Sequence, residues 1–519
     1  MATGTQQKQE LFKAIWSTAE NLRNSVDGWD FKNYVLGILF YRFISENITR
    51  HISQSRRAAG DTAFDYSALT DEEASAFKDR IVREKGFFIP PSQLFCNVRR
   101  CTESDSCLCS TLDAVFKSIE ASAAGSGSES GLKGLFSDID LDSNKLGSSS
   151  TQRDKRLAGI LDNIAGIDLS GDFRDCRIDI FGDAYEYLMT MYASNAGKSG
   201  GEFFTPQEVS ELLARIVCHN RRYVNKVYDP ACGSGSLLLQ FAKVLGKENV
   251  RNGFFGQELN ITTYNLCRIN MLLHDIDCAS FDIRNGDTLI DPLHREEEPF
   301  DAIVSNPPYS TRWIGEDDPQ LIRDPRFAPA GVLAPRSKSD LAFTMHILHC
   351  LSDDGTAAVV EFPGVLYRGG KEQKIRKFLI DSNYIEAIIQ LPPNLFFGAA
   401  VATCIIVLKK DKGEKKTLFI DASGLYVHEG NKNKLSPKNI RTIISGYAAR
   451  SDKPGFSVLT VNDIIADNGY NLSPATYVGS EDSCPPTDIV ELSSRIAAIM
   501  DRENRLRAEI DSIISEIED

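Results

Sequence analysis

The chain lacks any long apolar run. None of its 519 residues belongs to a stretch approaching the ~18 apolar residues that a membrane span needs. The amino terminus, MATGTQQKQELFKAIW, has no charged flank followed by an apolar signal core. The expectation is therefore a cytoplasmic protein with no membrane segment. Positive charge is also scarce: 58 Lys and Arg face 72 Asp and Glu, for a net charge of −14. That excludes a chain that coats nucleic acid unaided, because phosphate binding needs a basic footprint. A nucleic-acid substrate would require a local basic groove or a partner that supplies the grip. Cysteine is present but not patterned. Of twelve, only Cys96, Cys101, Cys107 and Cys109 cluster, and their CX4CX5CXC spacing matches no zinc motif. Free thiols in a reducing compartment, and no metal, are expected.

What is present is ordinary globular material: 42% hydrophobic and 25% charged residues, enough length for about three domains. Residues 1–170 read as a helical domain. Leu11, Phe12, Ile15, Trp16, Ala19 and Leu22 recur at helical spacing, and 31–48 is apolar on most sides, as in a buried helix. The stretch 121–131 (ASAAGSGSESG) reads as a flexible loop and 146–155 as a helix lead-in.

From about 200 to 425 short apolar runs alternate with amphipathic ones, which implies an α/β domain with a mostly parallel, doubly wound sheet, 171–475. Residues 310–338 carry four prolines and form one long irregular piece, the kind that is usually functional or mobile. In 476–519, Ile489, Leu492, Ile496, Ile499, Leu506, Ile510, Ile513 and Ile517 follow a 3-4 heptad. That spacing predicts a coiled-coil-like helix, packed on this chain or on a partner.

The chemistry gathers at predicted strand ends. YDPACGSGSLLL places Asp229 at the end of a strand, then Pro230, Ala231, Cys232, Gly233, Ser234 and Gly235 before a helix. A glycine loop between strand and helix is the usual nucleotide-type cradle of an α/β sheet. Here the third glycine of a dinucleotide fingerprint is missing, and an acid precedes the loop. That arrangement repels a pyrophosphate and suits a cationic adenosine ligand, S-adenosylmethionine. Glu258 ends the next strand, placed to accept from ribose hydroxyls, and Asp287 follows the third, placed to accept from the adenine amine. Each acid alone is as readily a turn residue or helix cap; three at successive strand ends favour a ligand edge. Thr205, Pro206 and Glu208 read as a capping box opening a helix, whose N-terminus suits the methionine carboxylate, with Phe203 and Phe204 as pocket walls.

VSNPPYS follows the fourth strand. The exocyclic amine of a base is a poor nucleophile, and holding it needs two acceptors for its two hydrogens. The Asn306 side-chain oxygen and the Pro307 carbonyl can supply them, Pro307 and Pro308 stiffening the corner. Tyr309 offers a flat face for an extruded base.

This set, D-P-x-x-G-S-G, an acid after strand two, G-D after strand three and N-P-P-Y after strand four, resembles the amino-methyltransferases. With GGEFFTP ahead of the loop it resembles the modification subunit of type I restriction-modification systems, and the likeness extends over nearly the whole chain. It implies a Rossmann-like, S-adenosylmethionine-dependent transferase that methylates N6 of adenine in DNA. Gly201, Glu202, Phe203, Phe204, Thr205 and Pro206, the 229–235 loop, Glu258 and Asp287 would hold the cofactor. Asn306, Pro307, Pro308 and Tyr309 would hold a flipped adenine from double-stranded DNA, with Phe397 on its second face. Cys232 departs from the small residue expected there and suggests sensitivity to alkylation. The resemblance also implies a separate specificity subunit that reads the sequence, two methyltransferase subunits to one, with restriction subunits joining, and the heptad helix docking on that partner. The residues alone leave N4 of cytosine or a protein glutamine as alternative amines, with a nicotinamide oxidoreductase or a non-catalytic scaffold as more distant readings.

Overall fold

The computed structural model describes residues 28–58, 60–61, 63–102, 107–166, 205–274, 276–396, 401–430 and 432–479, together with 494, 496, 499–503 and 505–507. The expected helix at 11–22, the site residues Gly201, Glu202, Phe203, Phe204 and Phe397, and most of the heptad lie outside them.

The sheet follows from the apolar runs. Among the described residues, β1 (Val227–Asp229), β2 (Phe254–Glu258), β3 (Phe281–Asn285), β4 (Phe300–Ser305), β5 (Leu351–Glu361), β6 (Ile385–Gln390), β7 (Cys404–Leu408), β8 (Lys416–Asp421) and β11 (Ser457–Val461) form one nine-stranded sheet. Its order is β11-β8-β6-β7-β5-β4-β1-β2-β3. A separate hairpin holds β9 (Val427–Glu429) and β10 (Lys432–Lys434). β3, β2, β1, β4 and β5 run parallel; β7 enters antiparallel between β5 and β6. The chain direction reverses its march across the sheet between β1 and β4, the crevice where doubly wound folds bind ligands.

Strand alternation sorts the core onto two faces. Ala302, Val304, Ala358 and Val360 pack into one apolar cluster; Ile303, Ala357 and Val359 pack into the other. The first face is covered by α4 (Gln207–Val217), α5 (Ser236–Leu245), α6 (Ile261–Leu273) and α9 (Pro437–Ala449). The second is covered by α7 (Asp340–Cys350) and α8 (Lys371–Asp381).

The amino-terminal helices α1 (Gly28–Ala58), α2 (Leu108–Ser122) and α3 (Ser150–Ala165) share the first cluster with the sheet. α1 buries every residue from Tyr34 to Tyr41 except Gly37's missing side chain, as its apolar sequence requires. Gly37 stands where a Cβ would lie 2.0 Å from Ile139 Cδ1. Ser149 caps α3 through Gln152 N, in line with the lead-in read at 146–155.

Two expectations need correction. Residues 121–131 are not a loose loop: α2 runs to Ser122, and a helical turn, Glu129–Leu132, brings Gly131 against Cys278 and Phe281. Nor is 310–338 loose. Trp313, Leu321, Phe327 and Leu333 are buried in the second cluster, and the piece is built of short 3-10 turns. Buried Arg326 pins it by donating to the carbonyl oxygens of Thr288 and Leu289, 2.9 Å each, and to Asp324. Hydrogen bonds to backbone carbonyls supply the order.

Arg268 of α6 joins the amino-terminal region to the sheet. Its buried guanidinium donates to the carbonyls of Ser130 and Lys133 at 3.2 and 2.8 Å and lies 4.2 Å from the Tyr264 ring centroid. Removing it strands buried acceptors, a loss of about 1–3 kcal/mol. Arg268→Ala is expected to lower Tm and raise amide exchange across 126–138 while β1, β2 and β4 keep their protection; unchanged exchange at 126–138 would show that Arg268 does not hold this joint.

Candidate active site at the carboxyl edge of the sheet

The predicted residues converge because parallel strands end together. Asp229 closes β1, Glu258 closes β2, Asp287 stands two residues past β3, and Asn306 directly follows β4. Hydrogen bonds tie these ends to one another. Asp229 Oδ1 accepts from Ala231 N at 3.0 Å and from the Ser305 hydroxyl at 2.9 Å, linking β1 to β4 across the crevice. Thr288 Oγ1 donates to Pro230 O at 2.6 Å, linking the loops after β1 and β3.

Asp229 is fully buried, and its Oδ2 has no hydrogen-bond partner among the described residues. Burial is the main cause that pushes its carboxyl up to about 7, with the Glu258 charge adding to it. An orphaned buried carboxylate oxygen beside a glycine loop fits a cationic ligand group. The two loop glycines have different tasks. Gly233, at φ 54°, faces open space where its Cβ would be, and its N–H donates to Glu258 Oε2 at 3.0 Å. Gly235, at φ 79°, has no such room: a Cβ would lie 2.7 Å from Cys267 Sγ. The first glycine leaves the crevice open; the second lets α5 start against α6.

Glu258 accepts from Gly233 N through one oxygen and from Asn260 N, at 2.8 Å, through the other; burial raises its carboxyl. Lone pairs remain on both oxygens for a diol. Asp287 Oδ1 accepts from Leu289 N at 2.9 Å, so the turn role is real, and its second oxygen is outside that bond. Beside these acids stand two apolar side chains the sequence reading passed over: Leu259, 68% exposed, and Ile290, 48% exposed. Exposed aliphatics next to ribose-type acids suit the faces of an adenine ring. The signal was an apolar residue within three positions after Glu258 and after Asp287.

Cys232 is buried, hydrogen-bonded to Cys267, and that contact with burial pushes its thiol well above the usual range. The expected alkylation sensitivity is thus opposed by the structure, since only an exposed thiolate reacts readily.

The expected capping box is also corrected. α4 starts at Gln207 with Pro206 at the cap position and no side-chain cap bond. Glu208 is half-buried, its carboxyl raised by desolvation, instead of reaching back to the helix start. The Thr205 hydroxyl turns the other way and accepts from Asn306 Nδ2 at 2.9 Å. Asn306 Oδ1 accepts from the Tyr309 hydroxyl at 2.5 Å. Tyr309 is half-buried, its ring edge-on to Phe396 with centroids 6.3 Å apart. Pro307 is buried and Pro308 half-buried, so the corner is packed as well as stiff.

The raised Asp229 carboxyl carries a pH signature. The folded chain holds this proton up to about 7, whereas an unfolded aspartate releases it near pH 4. Native protein therefore binds more protons in that window, and stability falls as pH rises through it. The wild-type Tm is expected to lose ground to that of Asp229→Asn between about pH 5 and pH 8 and to level off above; parallel Tm curves would refute the assignment.

With this geometry in place, comparison with known proteins is specific. The family model for N-6 DNA methylase matches residues 176–484, and that for the HsdM N-terminal domain matches 11–164. The chain is 47% identical to the methylase subunit of the type I restriction enzyme MpnII from Mycoplasma pneumoniae, over 99% of this chain and 97% of that one. It is 30% identical to the MjaVII methylase subunit from Methanocaldococcus jannaschii, over 69% of this chain and 63% of the other. The crystal structure of a type I restriction-modification methyltransferase subunit from Streptococcus thermophilus superposes with a TM-score of 0.80 at 34% identity, covering 91% of this chain and 99% of that one. The chain therefore belongs to the N-6 DNA methylase family, as a type I restriction-modification methylase subunit.

Proposed function

We propose that the crevice between β1 and β4 holds S-adenosylmethionine against a flipped adenine of double-stranded DNA, and that this is where N6 is methylated. The observation that supports it is the meeting of Asp229, Glu258, Asp287 and Asn306 on one sheet edge, tied together by Ser305 and Thr288. Bound there, S-adenosylmethionine supplies an electrophilic methyl group. In this reading Asp229 would meet the ammonium through the loop, Glu258 the ribose hydroxyls, and Asp287 the adenine amine, between Leu259 and Ile290. The loop from Asp229 through Pro230, Ala231, Cys232, Gly233, Ser234 and Gly235 forms the cradle. The segment 201–206, of which Thr205 and Pro206 are described, is assigned to the same cofactor.

Asn306 Oδ1 and the Pro307 carbonyl each accept one hydrogen of the N6 amine, which frees the nitrogen lone pair for attack. The Tyr309 hydroxyl occupies one lone pair of Oδ1; the second remains for the amine. The Tyr309 ring would offer the stacking surface, with Phe397 assigned to the second face of the base. No positive excess equips this chain to grip DNA alone, which fits recognition by a separate specificity subunit, two methylase subunits to one, with restriction subunits in the larger complex. The division into 1–170, 171–475 and a docking helix at 476–519 belongs to the same reading. Ile496, Ile499, Met500 and Leu506 stand at least half exposed, an apolar seam that favours a partner's helices over this chain's own.

With the specificity subunit present, label from S-adenosylmethionine is expected in N6-methyladenine and not in N4-methylcytosine. Asn306→Ala should reduce transfer at least about a hundredfold without weakening cofactor binding. Transfer that survives in Asn306→Ala would move the chemistry elsewhere. Removing 488–519 should abolish co-purification with the specificity subunit and leave cofactor binding intact; unchanged co-purification would place docking on another surface.

A further inference from the structure

The amide of Asn306 has two ends, and only one of them suits an amine. With Oδ1 turned toward the amine it accepts a hydrogen; turned over, Nδ2 would present hydrogens to hydrogens. Nothing covalent distinguishes the two settings. A side-chain amide swings about a broad, roughly two-fold torsion, so the setting must be chosen by its neighbours.

Two neighbours contact the amide. The Tyr309 hydroxyl donates to Oδ1 at 2.5 Å, and the Thr205 hydroxyl accepts from Nδ2 at 2.9 Å. The tyrosine contact lies on the oxygen the amine must reach. The threonine contact lies on the far end, where it can persist through the reaction. Thr205 is 5% exposed, and this is its one side-chain hydrogen bond among the described residues. Its hydroxyl is not engaged in capping, because α4 has no side-chain cap bond. The residue is separated from Asn306 by 101 positions, so the contact is a product of the fold and not of local sequence.

We infer that Thr205 is a positioning residue for methyl transfer: its hydroxyl accepts from Asn306 Nδ2 and so sets the amide with Oδ1 toward the incoming amine. The inference rests on the function proposed above and adds a role for a side chain assigned there only to the cofactor segment. Accepting from Nδ2 also draws the amide toward its charge-separated form, which leaves more negative charge on Oδ1 and strengthens its hold on the amine. Thr205 stands two residues before the α4 start and Asn306 immediately follows β4, so one hydrogen bond joins the proposed cofactor wall to the amine-binding corner.

The test compares Thr205→Val, which keeps the shape and loses the acceptor, with Thr205→Ser, which keeps the acceptor, both in complex with the specificity subunit. Wild type and Asn306→Ala run alongside. If wild type forms no N6-methyladenine, the proposed function has failed; the inference about Thr205 is judged on the variants of an active wild type. Thr205→Val is expected to lower kcat about 10- to 100-fold. Its Kd for S-adenosylmethionine should stay within about twofold, and base extrusion, read by 2-aminopurine fluorescence at the target position, should be unchanged. Thr205→Ser should recover kcat to within about threefold of wild type. A kcat equal to wild type in Thr205→Val overturns the inference. So does a loss matched by weaker cofactor binding, which would make Thr205 a cofactor ligand, and so does a serine variant as slow as the valine. Should Thr205→Val fail to fold, Thr205→Cys set against Thr205→Ser asks the same question, since a thiol of similar size is a weak acceptor; equal kcat for the two would overturn it.

Discussion

The Asp229 carboxyl group is fully buried at the crevice between β1 and β4, where the strand order turns back, and its hydrogen bond to Ser305 spans that crevice. Taking a carboxyl group out of water is unfavourable unless partners compensate, and here they compensate one oxygen only. The arrangement persists because the strands on either side leave it no alternative. β1 pairs with β2 on one side and β4 on the other, and each neighbour is held by its own apolar face. The site is thus an unfavourable group carried by a favourable sheet. Its unsatisfied oxygen marks where a complementary charge belongs.

The rest of the edge follows from this tie. Ser305 is the last residue of β4, so fixing it fixes where Asn306 begins. Ala231 N is the first amide of the loop, so fixing it sets the path to Gly233 and thus to Glu258. Both sides of the proposed two-substrate site are therefore referred to the same carboxyl. Geometry of this kind matters more than any single contact in a reaction that depends on alignment.

Much of this was legible in the sequence. Parallel strands end in register, so acids read one after another at strand ends must share an edge; that inference needs only periodicity and needed no long-range knowledge. Asp229, Glu258 and Asn306 were found this way. The antiparallel entry of β7 was not legible, because TCIIVL is equally apolar in either direction. The order of 121–131 and 310–338 was missed for a common reason: both are held by arginines, Arg268 and Arg326, that donate to backbone carbonyls. Carbonyl acceptors belong to every residue and leave no trace in composition. Thr205 was misassigned because its local pattern fits a cap, whereas a partner 101 residues away claims the hydroxyl.

The ordered state of 310–338 has a thermodynamic consequence. A loop that must be immobilised when a large ligand arrives charges its lost conformational freedom against affinity, about 1–2 kcal/mol for each residue fixed. Here Trp313 and Phe327 are already packed together, 5.6 Å between ring centroids, and Arg326 already holds its carbonyls. Any surface this segment offers to a nucleic acid is set during folding. The entropy is lost once, when the core forms, and not again at each encounter.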